Sequence, residues 1–243
     1  MSEGAIEFRN SPPAGYAPRM ESQLITIEIP DSDPVSGLWR APGDASACLV
    51  LAHGAGAGMA HRSMAAIAEG LAGRGVASLR YQFPYMERGG KRVDRPEVAH
   101  ATVRAAVAEA RRRTDKPLFA GGRSFGGRMT SQAQALEPLD GVRGLIFFAF
   151  PLHTAGKPGV ERAQHLSEIK TPMLFLQGTK DALAELDLLR GVVANLGSLA
   201  TLELLAEADH SFHVPAKLGR TDAEVLGAAL DVATAWMGSA AAL

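Results

Sequence analysis

The segment Gly121-Gly122-Arg123-Ser124-Phe125-Gly126-Gly127 holds a serine with glycine two places away on each side. That spacing suits a nucleophile on a tight strand-to-helix turn, which leaves no room for side chains at the flanking positions and brings a positive helix end to the reacting group. A serine hydroxyl is a weak nucleophile near neutral pH. It needs an imidazole to take its proton and hand it to the leaving group, and a carboxylate to fix the imidazole tautomer and stabilise the imidazolium. The chain supplies both in the order serine, acid, histidine: Asp181 in Gly178-Thr179-Lys180-Asp181, then His210 in Asp209-His210-Ser211-Phe212. Together these three would carry acyl transfer through an acyl-serine intermediate, with Ser124 as nucleophile, His210 as base and Asp181 as orienting acid. A Gly-rich turn with a serine that only caps the next helix would show the same motif, so the reading depends on all three.

The competing residues fit other places better. Asp209 is a poor orienting acid because adjacent side chains diverge, and Asp187 reads as part of a solvated helix face. Among the seven histidines, His213 is the runner-up base. His53 ends an apolar run at a Gly-rich turn and reads as structural, His61 and His100 fall in helical patterns, and His165 lies in a connecting segment. His153, after Phe150-Pro151-Leu152, is expected to line the pocket. Two backbone N–H groups must face the developing oxyanion. Phe125 supplies one, and Ala55 in His53-Gly54-Ala55-Gly56-Ala57-Gly58 supplies the other, with Gly56 in reserve. Phe83 and Tyr85, from Phe83-Pro84-Tyr85-Met86, are expected to form an apolar pocket wall unless they serve ordinary loop packing. Arg123 would either attract an anionic substrate group or sit in a structural ion pair, and Arg128 reads as structural.

These residues need a scaffold that brings three distant loops to one rim. Short apolar runs predict strands over residues 23–29, 35–40, 48–53, 77–81, 118–122, 144–150, 173–177 and 201–205. Amphipathic runs predict helices over 61–72, 95–113, 125–136, 183–196 and 223–237. The first two strands lack an intervening helix and read as an antiparallel hairpin; the rest alternate with helices, as in a mostly parallel eight-stranded α/β sheet with helices on both faces. Ser124, Asp181 and His210 then all fall at carboxyl ends of strands, where open α/β sheets hold their sites. The segment from Pro151 to Pro172 is too short for a helical cap, so an open site is expected, which disfavours long-chain lipids.

Composition narrows the classes further. The 243 residues are 47% hydrophobic and 21% charged, consistent with one globular domain over residues 21–243 behind a loosely composed, flexible lead-in over 1–20. A formal net charge of -1, with cations scattered, argues against nucleic acid as a partner. The densest basic run, Arg111-Arg112-Arg113, falls at a helix end where cations complement the dipole. A lone cysteine, Cys48, excludes an internal disulfide and Cys-based zinc sites, and its apolar surroundings place it in the core. No histidine pair has helical metal-ligand spacing, so neither metal nor cofactor is implied. The evenly spaced Gly54, Gly56 and Gly58 do not match the dinucleotide fingerprint. Without a signal-like or membrane-length apolar run, the expected setting is the cytoplasm, with a small-molecule ester or thioester as partner.

From about Ala45 to Met237 the chain resembles the lidless α/β-hydrolases of the dienelactone-hydrolase group. It looks closest to a predicted-hydrolase family whose fold also occurs as a domain in a chromatin-associated acetyltransferase complex. The residues that carry this are Leu51-Ala52-His53-Gly54-Ala55-Gly56, Phe83-Pro84-Tyr85-Met86-Glu87, Gly122-Arg123-Ser124-Phe125-Gly126-Gly127-Arg128, Pro151-Leu152-His153, Gln177-Gly178-Thr179-Lys180-Asp181 and Asp209-His210-Ser211-Phe212. The resemblance implies an α/β-hydrolase fold without a cap and a hydrolase activity. Dienelactone hydrolases proper use a cysteine nucleophile where this chain has Ser124, so their lactone substrate does not carry over. Chromatin-associated members leave open a non-catalytic binding role, and fold analogy does not choose among ester, thioester or amide cleavage and acyl transfer.

Overall fold

The computed structural model describes residues 21–241; the lead-in expected over 1–20 lies outside them. The hairpin forms first, with β1 (Gln23–Ile27) antiparallel to β2 (Val35–Arg40), Gln23 opposite Trp39 and Ile27 opposite Val35. β1 stops two residues short of the expected end because the Ile29 carbonyl accepts the turn bond from Ser32 N–H at 3.2 Å.

The chain then enters the middle of the sheet at β3 (Ala47–Ala52), passes through helix α1 (Arg62–Ala72) to β4 (Val76–Tyr81), and crosses back to β5 (Leu118–Arg123). It continues outward through β6 (Val142–Phe148), β7 (Met173–Gly178) and β8 (Ala200–Leu205). The eight strands lie in the order β1-β2-β4-β3-β5-β6-β7-β8, antiparallel up to the β2/β4 pair and parallel beyond it. The winding reverses between β3 and β5, so the loops that leave them diverge and open a crevice at their carboxyl ends.

Alternation along the central strands sends side chains into two cores. Cys48, Val50 and Ala52 of β3 pack with α3 (Pro96–Arg113), α4 (Phe125–Leu136) and α5 (Leu186–Leu196) on one face. Leu49 and Leu51 pack with α1 and α6 (Asp222–Ala241) on the other. Burial pushes the Cys48 thiol up to about 12, so it stays neutral as a core residue.

The remaining differences lie at element ends. β6 closes at Phe148 because Ala149 takes a left-handed φ of 58°, and α5 starts at Leu186 because Asp181–Leu183 is held in a loop. α6 runs on to Ala241, well past the expected 237. Four short elements were not foreseen: α2 (Pro84–Glu87), where Pro84 opens a single turn, 3₁₀ turns at Gly197–Leu199 and Ala216–Leu218, and a longer 3₁₀ segment (Glu161–Glu168) between β6 and β7. That segment adds no cap. No helix among the described residues is long and apolar enough to cross a membrane.

Candidate active site

Ser124 sits between β5 and α4 with φ 50° and ψ −116°, a strained conformation for a residue with a side chain. The strain persists because the neighbours pin it: Ser124 N–H donates to Phe148 O at 3.0 Å, and its carbonyl accepts from Arg128 N–H at 3.1 Å. The flanking glycines are required by contact. A Cβ on Gly122 would lie 2.5 Å from Ala52 O, and one on Gly126 would lie 2.5 Å from His53 O.

Asp181 and His210 arrive from the loops after β7 and β8, which interlock. Lys180 N–H donates to Ala208 O at 2.9 Å, Glu207 N–H to Thr179 Oγ1 at 2.8 Å, and a Cβ on Gly178 would fall 2.2 Å from Ala208 O. Within the histidine loop the Asp209 carboxylate accepts from Ser211 N–H and His213 N–H at 2.6 and 3.0 Å, shaping the turn rather than reaching the imidazole. His210 Nδ1 lies 2.7 Å from Asp181 Oδ2, and its Nε2 lies 2.8 Å from Ser124 Oγ. Since Asp181 accepts at Nδ1, the imidazole carries its proton there and offers Nε2 as acceptor to the serine hydroxyl. The Asp181 side chain is fully buried while His210 keeps 24% exposure, so the acid is dry and the base faces the cleft.

The carboxylate is held on three sides. Besides His210, Oδ2 accepts from Gln177 Nε2 at 2.6 Å and Oδ1 from Leu183 N–H at 2.8 Å. Gln177 is in turn fixed because its Oε1 accepts from Phe150 N–H at 2.9 Å. Sequence reasoning gave this residue no role, although it opens the run Gln177-Gly178-Thr179-Lys180-Asp181 as a polar side chain ending the apolar Met173-Leu174-Phe175-Leu176.

His213 is set apart from the serine by its pairing with Asp222 at 3.0 Å, which raises its basicity on the exposed surface. Asp187 pairs with Arg190 at 3.4 Å on the exposed face of α5.

The two expected oxyanion donors are placed differently from each other. Phe125 opens α4, where a helix leaves its first N–H groups without intrahelical partners. In the loop after β3, Gly56 N–H is spent on Tyr85 Oη at 3.3 Å, while Ala55 N–H has no partner among the described residues. His53 fixes this loop from below, with Nδ1 on Gly54 O at 2.8 Å and Nε2 accepting from Phe83 N–H at 3.0 Å. Burial holds the His53 ring down at about 4, so it stays neutral and keeps both bonds.

Of the four residues expected in the pocket, Phe83 and Arg123 need correction. Phe83 is fully buried, edge-on to His53, Tyr81 and Phe125 at 4.9, 5.4 and 5.3 Å, so it is core and not wall. Arg123 donates to His210 O at 3.0 Å and lies 5.7 Å over the Phe212 ring, which spends its charge on the histidine loop instead of on a ligand. His153 borders a cavity of about 530 Å³ beside Asp181, yet both ring nitrogens are committed, to Thr154 O and to Glu185 N–H at 2.9 Å each. It therefore braces the acid loop. Tyr85 is 2% exposed and its hydroxyl reaches the Ala55 loop. Arg128 departs from expectation in another way: a structural arginine should have partners, and its guanidinium has none among the described residues.

Two buried imidazoles also make the fold acid-sensitive. His53 and His165, the latter 2.7 Å from Ser131 Oγ, are both held at about 4, below the 6.5 of a free ring. The unfolded chain thus takes up protons first as pH falls from 6.5 toward 4. The stability contributed by the neutral rings is complete above that window and lost within it, at up to about 1.4 kcal/mol per pH unit for His53. Urea unfolding at several pH values should show this decline, and His165→Gln should make it shallower by as much as one proton. An unchanged slope would exclude His165 as a contributor.

Fold and site together define an α/β-hydrolase. The chain belongs to that family: a model described as Alpha/beta hydrolase domain matches residues 45–238. Among solved structures it is similar to a dienelactone hydrolase from Anabaena variabilis, at 18% identity and TM-score 0.72, covering 90% of this chain and 97% of that one. A lidless α/β serine hydrolase from Xanthomonas campestris matches at 21% identity and TM-score 0.70, over 89% and 95%. Est1E from Butyrivibrio proteoclasticus matches at 16% identity and TM-score 0.65, over 90% and 99%. At these identities the likeness is one of fold.

Proposed function

We propose that this protein is a serine hydrolase that cleaves a small carboxylic ester or thioester. The observation that carries the reading is the unbroken chain from Ser124 Oγ through His210 to Asp181, at 2.8 and 2.7 Å, on three separate strand ends. His210 Nε2 takes the hydroxyl proton as Oγ adds to the carbonyl carbon, and the new charge falls to the N–H groups of Phe125 and Ala55. The imidazolium, steadied by Asp181, gives its proton to the departing alcohol or thiol. Water then repeats the sequence on the acyl-serine and frees the acid. The short connection between β6 and β7 leaves the cleft open, which favours small substrates, and the lidless serine hydrolase among the structural relatives agrees with that class.

Fluorophosphonate labelling tests the reading. Wild type should label at Ser124, while Ser124→Ala and His210→Ala should not, and short-chain nitrophenyl esters should be turned over by wild type alone. A folded wild type that neither labels nor hydrolyses would leave a binding protein as the better account.

A further inference from the structure

Most arginines of this chain have a counter-charge or a surface setting. At the amino ends of β5 and β6, beside a cavity of about 650 Å³, Arg111 pairs with Asp140 at 3.4 Å, and Arg112 and Arg113 both converge on Glu109. Arg128, one turn into the helix that Ser124 opens, has neither hydrogen bond nor ion pair among the described residues. Its Nε is sealed from solvent without a partner, while the terminal nitrogens, equally unpaired, are not sealed.

The surroundings add positive charge. Arg162, on the 3₁₀ segment, is close enough that its field joins burial in disfavouring the Arg128 cation. Arg162 itself donates to His153 O and Thr154 Oγ1 at 2.9 Å each, and both acceptors are neutral. His165 on the same segment and His100 on α3 are shifted toward their neutral forms, partly by Arg128. Glu97 on α3 acts on His100 but forms no ion pair with either arginine among the described residues. Two neighbouring guanidiniums with no carboxylate are costly to keep unless something anionic arrives, and local violations of this kind concentrate at functional sites.

Position makes the site relevant to the chemistry. At a rise of about 1.5 Å per residue the Arg128 backbone lies roughly 6 Å below Ser124, and helical side chains lean back toward the amino end. Arg162 holds the loop after β6 that carries His153, and His153 braces the acid loop. We propose that Arg128 and Arg162 form an anion-recognition site beside the nucleophile, so that the substrate bears a carboxylate or phosphate group near its scissile carbonyl. Guanidinium forks suit either group, through paired charge-assisted hydrogen bonds. The link to substrate rests on the hydrolase reading; the anion site does not.

Binding is measured first because it needs no turnover. Calorimetric titration of wild type with adipate and, separately, with inorganic phosphate should find one site, and Arg128→Gln should weaken the preferred anion by roughly 10- to 100-fold, with Arg128→Lys intermediate. Preference for adipate identifies a carboxylate, and preference for phosphate a phosphorylated ligand. The kinetic arm compares the 4-nitrophenyl hemiester of the preferred anion, adipate or its phosphonate counterpart, with 4-nitrophenyl hexanoate. Arg128→Gln should lower the ratio of their kcat/KM values by a similar factor, mainly through KM. Absence of anion binding in wild type, or equal binding and an unchanged ratio in Arg128→Gln, overturns the site. Intact Arg128-dependent anion binding in a wild type that hydrolyses neither ester would instead overturn the hydrolase reading and leave the site standing.

Discussion

Asp181→Asn is expected to lower kcat for ester hydrolysis by about 10⁴-fold. The carboxylate accepts from His210 Nδ1 at 2.7 Å, from Gln177 Nε2 at 2.6 Å and from Leu183 N–H at 2.8 Å, and all three partners are donors. An amide has one accepting end and one donating end, so at least one of these contacts becomes donor against donor. Gln177 does not relieve the conflict by turning over, because its Oε1 is held by Phe150 N–H. If the amide nitrogen faces His210, the imidazole must accept at Nδ1 and carry its proton on Nε2, where it no longer takes a proton from Ser124. If it faces Leu183, an N–H is left unpaired in the interior, at about 1–3 kcal/mol. The variant should therefore be a little less stable and far less active. Steady-state kinetics beside a thermal melt separates the two effects. A kcat within tenfold of wild type, at an unchanged melting temperature, would show that Asp181 does not orient the base.

Much of this arrangement could be read from the chain because the signals are local. The alternation of strands and helices follows from short apolar runs set between amphipathic ones, and the elbow from glycines on both sides of Ser124. What escaped depends on contacts between distant segments. Phe83 looks like a pocket aromatic from its place after a strand, but its N–H on His53 and its ring on Phe125 draw it into the core. Arg123 looks available beside the nucleophile until the histidine loop, 87 residues on, presents the His210 carbonyl to it. Gln177 stands in a quoted run that assigns it no role, and that role appears only once the loop after β6 lies beside β7. Arg128 is the reverse case, where a residue that reads as structural is left without the partners a structural role requires.

Gly126→Ala is expected to cost more stability than any single surface change, roughly 3 kcal/mol or more, because the added methyl has nowhere to go. Its Cβ would meet His53 O at 2.5 Å and Ala52 C at 2.6 Å, both backbone atoms at the end of a central strand. Moving α4 away would pull Phe125 N–H from the place where it is proposed to meet the oxyanion and release the strained φ of Ser124, so stability and activity should fall together. Gly122→Ala meets the same strand, at 2.5 Å from Ala52 O, and should behave alike. Gly191 provides the opposite case: it lies inside α5 with open space around its Cβ position. There the same substitution only reduces the freedom of the unfolded chain and favours the helix, for a gain of about 0.5–1 kcal/mol. Melting temperatures of the three variants test this directly, since about 3 kcal/mol corresponds to a drop of roughly 6–12 °C in a chain of this size. Equal, small shifts at positions 126 and 191 would mean that the elbow is loose enough to admit a side chain, and that the tight turn is not what exposes Ser124.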